Sequence, residues 1–275
     1  MRCAVVGHPV GHSLSPALHQ AAYDALGLDW TFDRVDVPEG GLATFVGALD
    51  ASWRGLAVTM PHKSAAAALG RPDQAVRRLG VANTILLGPD DVRVHNTDVA
   101  GFLQALAYRR IDDVTEAVVL GAGGTARAAL VALRNMGAAR VTAQVRDPAA
   151  PRAVEWLRLA DALGMPASVE PLGTAHPCDL AISTLPAHAA DACAAALVDV
   201  SGAVLDASYD PWPTLLTATA AAANLPVATG LDLLAGQAIQ QIDLMVGDTV
   251  DFELLLDAGV AELRRRANRD DATMA

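Results

Sequence analysis

Lysine is nearly absent from this 275-residue chain: of 20 basic residues, Lys63 is the single lysine and the other 19 are arginine. A guanidinium effectively never releases its proton, whereas an ammonium can be tuned to do so. Lys63 is therefore either the one site an arginine-rich composition spared or a residue kept for proton exchange. Positive charge is also scarce overall, with 31 acidic residues giving a net charge of −11. Such a surface repels phosphate backbones and anionic headgroups, which argues against a nucleic-acid or membrane-surface partner. Three cysteines, Cys3, Cys178 and Cys193, are odd in number and form no C-x-x-C pair. They read as reduced thiols of a cytoplasmic protein. Arg2 leads into a short apolar run ended by Gly7 and Pro9, which does not read as a signal segment. The uncharged stretch between Asp210 and Asp232 is broken by Pro211, Pro213 and Pro226 and makes a poor membrane span.

What the chain does have is 52% hydrophobic residues, enough for one large or two moderate α/β domains. Residues 2–6 read as a strand, followed by a helix with Ser15 as N-cap, Pro16 at its first position and Gly27 as its stop. Trp30 and Phe32 alternate in a second strand and residues 55–59 give a third. A hairpin joins 84–87 to 92–95 around Gly88-Pro89-Asp90-Asp91. A helix over about 99–110 then leads into apolar runs at 117–120, 141–145, 180–183, 203–207 and 226–229, with a shorter one at 167–169. Alternation of these runs with helical segments predicts a parallel sheet of βαβ units. Two closing helices are separated by Gly247-Asp248, and the charged tail after Leu263 reads as a solvated, frayed end.

Directly after the strand ending at Leu120 comes Gly121-Ala122-Gly123-Gly124-Thr125-Ala126 and a helical run. This G-x-G-x-x-A in strand–turn–helix context predicts a dinucleotide site: Gly121 for the tight turn, Gly123 for close approach to a pyrophosphate, Ala126 for helix–strand packing. A tight turn with no ligand is the plain alternative. At the end of the next strand, Arg146 is placed to pair with a 2′-phosphate, favouring NADP. Asp147 either closes the turn before Pro148 or faces the ribose and favours NAD, and Arg152 is a second candidate phosphate clamp.

Three motifs of the N-terminal third resemble the shikimate dehydrogenase family. Gly7-His8-Pro9-Val10-Gly11-His12-Ser13-Leu14-Ser15-Pro16 is similar to G-x-P-x-x-H-S-x-S-P. Val58-Thr59-Met60-Pro61-His62-Lys63 is similar to V-T-x-P-x-K. Ala82-Asn83-Thr84 pairs with Asn96-Thr97-Asp98. Tyr209-Asp210-Pro211-Trp212-Pro213-Thr214, Gly230-Leu231 and Gln237-Ala238 extend the resemblance over nearly the whole chain. It implies an α/β fold of two domains: a mixed α/β substrate domain over 1–102 plus 233–275, and a Rossmann-type parallel-sheet NADP domain over 103–232. The implied activity is NADP-dependent interconversion of 3-dehydroshikimate and shikimate, a step of aromatic amino-acid biosynthesis on the way to chorismate. Lys63 and Asp98 match the family's catalytic pair. Ser13, Ser15, Thr59, Asn83, Tyr209 and Gln237, with Asp98, are the implied substrate contacts. Gly121, Ala122, Gly123, Gly124, Thr125, Ala126, Arg146, Thr184 and Gly230 are the implied cofactor contacts.

The residue chemistry agrees: short hydroxyl and amide side chains suit a polyhydroxylated cyclic acid. A protonated lysine beside an aspartate stabilises and protonates the oxyanion that hydride addition creates. Plainer roles stay open for several residues: Ser15 and Asp98 as helix caps, Asn83 and Asn96 as hairpin turn residues, Tyr209 as packing. His8 and His12 are separated by Pro9 and Gly11, so no helical metal site is expected. The chain departs from the family at Ala57, where asparagine is usual. It also departs at Val145 and Asp147 flanking Arg146, at Ser183-Thr184-Leu185-Pro186 and at Leu233. These leave open a quinate or aminoshikimate dehydrogenase paralogue, and NAD as cofactor. A non-catalytic nucleotide-sensing regulator is the reading from another class. A small-molecule substrate and a monomer or homodimer are expected.

Overall fold

The computed structural model describes residues 1–89 and 91–274, of which 270–274 are described as backbone only. The expected hairpin turn therefore lies partly outside the described residues at Asp90. The chain forms two compact units, Met1–Thr97 with Leu234–Ala275, and Asp98–Leu233.

The first unit contains, in chain order, β1 (Arg2–Gly7), α1 (Ser15–Ala25), β2 (Thr31–Asp36), α2 (Leu42–Gly47), β3 (Trp53–Val58), α3 (Lys63–Ala67), β4 (Arg71–Pro72), α4 (Gln74–Leu79), β5 (Thr84–Leu87) and β6 (Val92–His95). Its sheet runs β2-β1-β3-β5-β6-β4. β1 is parallel to β2 and β3, whereas β5 is antiparallel to both β3 and β6. One face buries Val6, Leu56, Val58, Ile85 and Val94, and the other packs Val5, Tyr23, Phe32, Ala57 and Met245. Burying both faces explains why β3 reads as an unbroken apolar run.

The second unit contains α5 (Asp98–Tyr108), β7 (Glu116–Leu120), α6 (Gly124–Met136), β8 (Arg140–Val145), α7 (Pro151–Ala162), β9 (Ala167–Pro171), β10 (Cys178–Ser183), α8 (Ala194–Asp199), β11 (Ser201–Asp206), α9 (Leu215–Ala222) and β12 (Val227–Thr229). Its sheet, β12-β11-β10-β7-β8-β9, is parallel throughout. The first strand of this unit, β7, lies mid-sheet, so the order reverses there, the topology that opens a crevice at the strands' carboxyl ends. α10 (Gly230–Val246) carries the chain back to the first unit, where α11 (Phe252–Met274) packs on α1.

The α/β class, the parallel sheet and the hairpin match expectation, and four local expectations need correction. Ser15 is not the N-cap of α1. The chain turns one residue earlier, with Ser13 N–H donating to Val10 O, and Leu14 occupies the cap position with no side-chain cap. Asp98 does not precede α5 but is its first residue. Trp30 falls outside β2 and meets Tyr23 edge-on, ring centroids 5.6 Å apart. The tail after Leu263 is not frayed: α11 continues to Met274, and Arg266 donates to the His12 carbonyl.

Candidate functional site

In the first unit the motif residues cluster where β1 and β3, parallel neighbours, end. Two backbone bonds tie the loops that follow them: Thr59 N–H to Val6 O at 2.9 Å and His8 N–H to Met60 O at 3.0 Å. Gly7 is required by this closeness, since a Cβ there would lie 2.4 Å from Thr59 Cγ2. Asp36 accepts from Val10 N–H at 3.3 Å and pairs with His8 Nδ1 at 2.5 Å. The hydrogen bond from His8, aided by that of Val10, holds the Asp36 carboxyl below the usual carboxylate range. Ser13 and Ser15 are both buried, and Ser13 Oγ accepts from Ser15 N–H at 3.3 Å. Freed of the capping role, the Ser15 hydroxyl makes no hydrogen bond among the described residues.

Lys63 opens α3 and is half-buried. Its carbonyl accepts from Ala82 N–H at 2.8 Å. The buried His62 before it donates from Nε2 to Val37 O at 2.7 Å. Sequence reasoning passed over His62 as the variable position of the motif, yet it pins the residue next to the lysine. Asn83 braces the hairpin. Its Nδ2 donates to Thr97 Oγ1 at 3.0 Å, and its Oδ1 accepts from Thr97 N–H at 2.8 Å and from Thr84 Oγ1 at 3.0 Å. Asn96 Nδ2 donates to Val81 O at 3.2 Å. Gln237 lies on α10, one helical turn before Gln241. Gln241 is buried and donates to Asn83 O at 3.3 Å and Thr84 Oγ1 at 3.1 Å. The four-residue spacing of the two glutamines was the missed signal.

In the second unit, Gly121 has φ +110°, and a Cβ there would lie 2.6 Å from Thr184 Oγ1. Thr184 itself donates to Leu120 O through both N–H, at 3.0 Å, and hydroxyl, at 2.8 Å. It thus shapes the turn. Gly123 is the N-cap of α6, where no side chain caps the helix, and a Cβ on Gly123 would meet nothing within 4 Å. Ala122 and Ala126 are buried, which brings the helix close to β7. Open backbone amides at a long helix's positive end, with space in front of them, fit a pyrophosphate. Arg146 is exposed just past β8 with no hydrogen-bond or ion-pair partner among the described residues, and Arg152 is exposed near the start of α7. Asp147 accepts from Ala149 N–H at 2.9 Å, closing the turn before α7.

Tyr209 is half-buried in the segment after β11. That segment packs against Gly230, where a Cβ would lie 2.4 Å from Ala207 O. Asp206 anchors its start by accepting from Ser208 N–H at 3.1 Å. Burial pushes the Asp206 carboxyl up, against the bonds from Ser208, Thr214 and Ser183. Asp98 is fully buried at the head of α5. Asp232, also fully buried, accepts from Thr229 N–H at 2.7 Å and from Arg109 Nη2 at 2.8 Å, and its own N–H donates to Thr229 Oγ1. This capping box at the start of α10 was also not read from the sequence. Among the described residues no helix is long and apolar enough to cross a membrane.

A family model described as the shikimate dehydrogenase substrate binding domain matches residues 5–85. A Thermus thermophilus protein named shikimate dehydrogenase (NADP(+)) is 36% identical over 273 residues, spanning 97% of this chain and 98% of the relative. The crystal structure of Mycobacterium tuberculosis shikimate dehydrogenase superposes with a TM-score of 0.85 at 35% identity, covering 94% of this chain and 98% of that one. The Thermus thermophilus enzyme solved with NADP(H) and shikimate gives 0.83 at 34% identity, covering 95% and 99%. Likeness of this extent in both sequence and fold leaves one conclusion: the chain belongs to the shikimate dehydrogenase family.

Proposed function

We propose that the chain catalyses the reversible NADPH-dependent reduction of 3-dehydroshikimate to shikimate in aromatic amino-acid biosynthesis, with Lys63 and Asp98 as its catalytic pair. The observation that carries this reading is the chain's single lysine, set in V-T-M-P-H-K at the head of α3, in a chain 36% identical end to end to an NADP-dependent shikimate dehydrogenase. The unit of Met1–Thr97 with Leu234–Ala275 binds substrate, and the parallel-sheet unit binds nucleotide. NADPH, when bound, supplies the hydride for the substrate's carbonyl carbon.

The chain's own residues do the rest. The carbonyl oxygen gains negative charge as hydride arrives, and the Lys63 ammonium stabilises that charge and delivers the proton. Asp98 orients the ammonium toward that oxygen. In the oxidation direction, Lys63, once deprotonated, accepts the hydroxyl proton. Ser13, Ser15, Thr59, Asn83, Tyr209 and Gln237 hold the ring hydroxyls and carboxylate. The amides of Gly121 through Ala126 take the pyrophosphate, Arg146 takes the 2′-phosphate, and Thr184 and Gly230 shape the cofactor's surroundings. The three free thiols support a cytoplasmic setting.

The test is absorbance of the reduced nicotinamide with shikimate plus NADP, then NAD, then quinate in place of shikimate. Turnover with shikimate and NADP is the expected result. Turnover with quinate alone would reassign the substrate. Silence in all arms, with NADP still bound by calorimetry, would make the chain a nucleotide-sensing regulator.

A further inference from the structure

Two guanidinium groups from opposite ends of the chain meet at one backbone oxygen in the first unit. Ser13 O accepts from Arg34 Nε at 2.9 Å, Arg34 Nη2 at 2.7 Å and Arg266 Nη2 at 3.0 Å. Arg266 also donates from Nη1 to His12 O at 2.7 Å. Two like charges on one carbonyl repel, and Glu262 lies between them. Its Oε1 accepts from Arg266 Nε at 2.8 Å and stands 4.0 Å from Arg34 Nη2, while Oε2 pairs with Arg265. Burial alone would raise the Glu262 carboxyl, but the hydrogen bond and charge of Arg266, with Arg265 and Arg34, hold it below the ordinary glutamate range. It therefore stays ionised at neutral pH. α11, which carries Glu262 and Arg266, packs along α1, whose first residue is Ser15.

A single carbonyl needs no such arrangement merely to be satisfied; one hydrogen bond would suffice. Three N–H groups from two rigid planar forks instead fix the plane and direction of the Ser13–Leu14 peptide. We propose that Arg34, Glu262 and Arg266 form a positioning clamp that fixes the Ser13-Leu14-Ser15 backbone so that both serine hydroxyls meet the substrate, making the C-terminal helix part of the substrate site. The clamp rests on the assignment of Ser13 and Ser15 to substrate. None of its three side chains touches substrate; each acts through the serine backbone.

The experiment is steady-state kinetics of the full chain with shikimate and NADP varied separately, alongside thermal melts. Arg266→Met keeps the alkyl packing and removes the clamp. It is expected to raise the KM for shikimate about tenfold, as small misplacements of binding groups do, with kcat and the KM for NADP held within about twofold. Arg266→Lys is expected to restore part of the loss. Glu262→Gln, which keeps the volume and leaves the two arginines uncompensated, is expected to shift the same constant in the same direction, and it tests the clamp should Arg266→Met fail to fold. A lowered melting temperature with an unchanged shikimate KM in both variants would reduce the clamp to a structural staple and overturn it. An equal rise in both KM values would do the same. Ser13→Ala and Ser15→Ala are run in parallel. If they leave the shikimate KM unchanged, the serine assignment fails and the clamp with it. If they raise it and the clamp variants do not, the clamp alone fails.

Discussion

The two units treat their candidate ligand loops in opposite ways. In the first, backbone groups beside the candidate substrate residues are tied to distant parts of the chain: Thr59 N–H to Val6, the Lys63 carbonyl to Ala82, the Asn83 carbonyl to Val58 and Gln241. In the second, the turn at Gly121 is braced from behind by Thr184, but its front is bare. Gly123 faces open space, no side chain caps α6, and Arg146 is exposed. The difference follows from the chemistry each loop serves. A ring with several hydroxyls is recognised by many directional side-chain bonds, which must be pre-set to avoid the entropy of ordering them. A pyrophosphate is recognised by backbone amides and the helix dipole, which are ordered already and need only clear access.

Five measurements break or sharpen that contrast. Lys63→Ala in the braced unit is expected to lower kcat by about 10²–10⁴-fold, the range for losing a general acid, with little change in shikimate affinity; an unchanged rate would remove lysine from the mechanism. Beneath the serine loop, His19 is fully buried, stacks on Phe32 at 3.9 Å and donates from Nδ1 to Ser15 O at 2.9 Å. Burial pushes its pKa down from 6.5 to about 4, against the opposing pull of the Ser15 carbonyl. The folded form thus binds fewer protons than the unfolded chain. Its contribution is complete above pH 6.5 and is lost as pH falls through about 4, amounting to about 3 kcal/mol. Melting temperatures from pH 7 down to 4.5 should fall steeply in the native chain and less in His19→Gln.

Paired glycine substitutions test the contrast directly. Gly7→Ala forces a methyl against Thr59 Cγ2 and Met60 O and is expected to cost about 1–3 kcal/mol of stability, read by denaturant titration. Gly123→Ala meets nothing within 4 Å; it should leave stability alone and weaken NADP binding by calorimetry. The smallest effect is expected of Arg146→Gln. Losing a charge-assisted bond of about 1.5 kcal/mol should narrow the preference for NADP over NAD by about tenfold, read as the ratio of the two kcat/KM values.

What was legible beforehand divides along similar lines. The parallel strands of the second unit were readable because burial on both faces leaves continuous apolar runs such as Ala117–Leu120. The glycine turn was readable because its chemistry is local in sequence. The helices α2, α3 and α4 were not, being five or six residues long, too short to show a helical period. Ser15 was misplaced because Leu14, an unusual cap, turns the chain without side-chain help. The groups that hold the serine loop, Arg34 and Arg266, were invisible for a different reason. Arg266 reaches Ser13 across 253 residues of sequence, and no local pattern marks such a contact. Arg109 and Asp232, 123 apart, were hidden in the same way. Gln241 lies one turn beyond Gln237 on the same face of α10, a spacing that is local in sequence and so legible from it.

The chain's single ammonium side chain, half-buried at the head of α3, also has a practical consequence. An amine-selective acylating reagent ordinarily scatters over a protein surface, but here it meets one side chain and the α-amino group. The label carried by the Lys63 peptide therefore reports on a single half-buried position, and a bound ring compound that covers it would register as protection in the mass of that peptide. Scarcity turns an indiscriminate reagent into a local probe, one that follows occupancy without any turnover taking place.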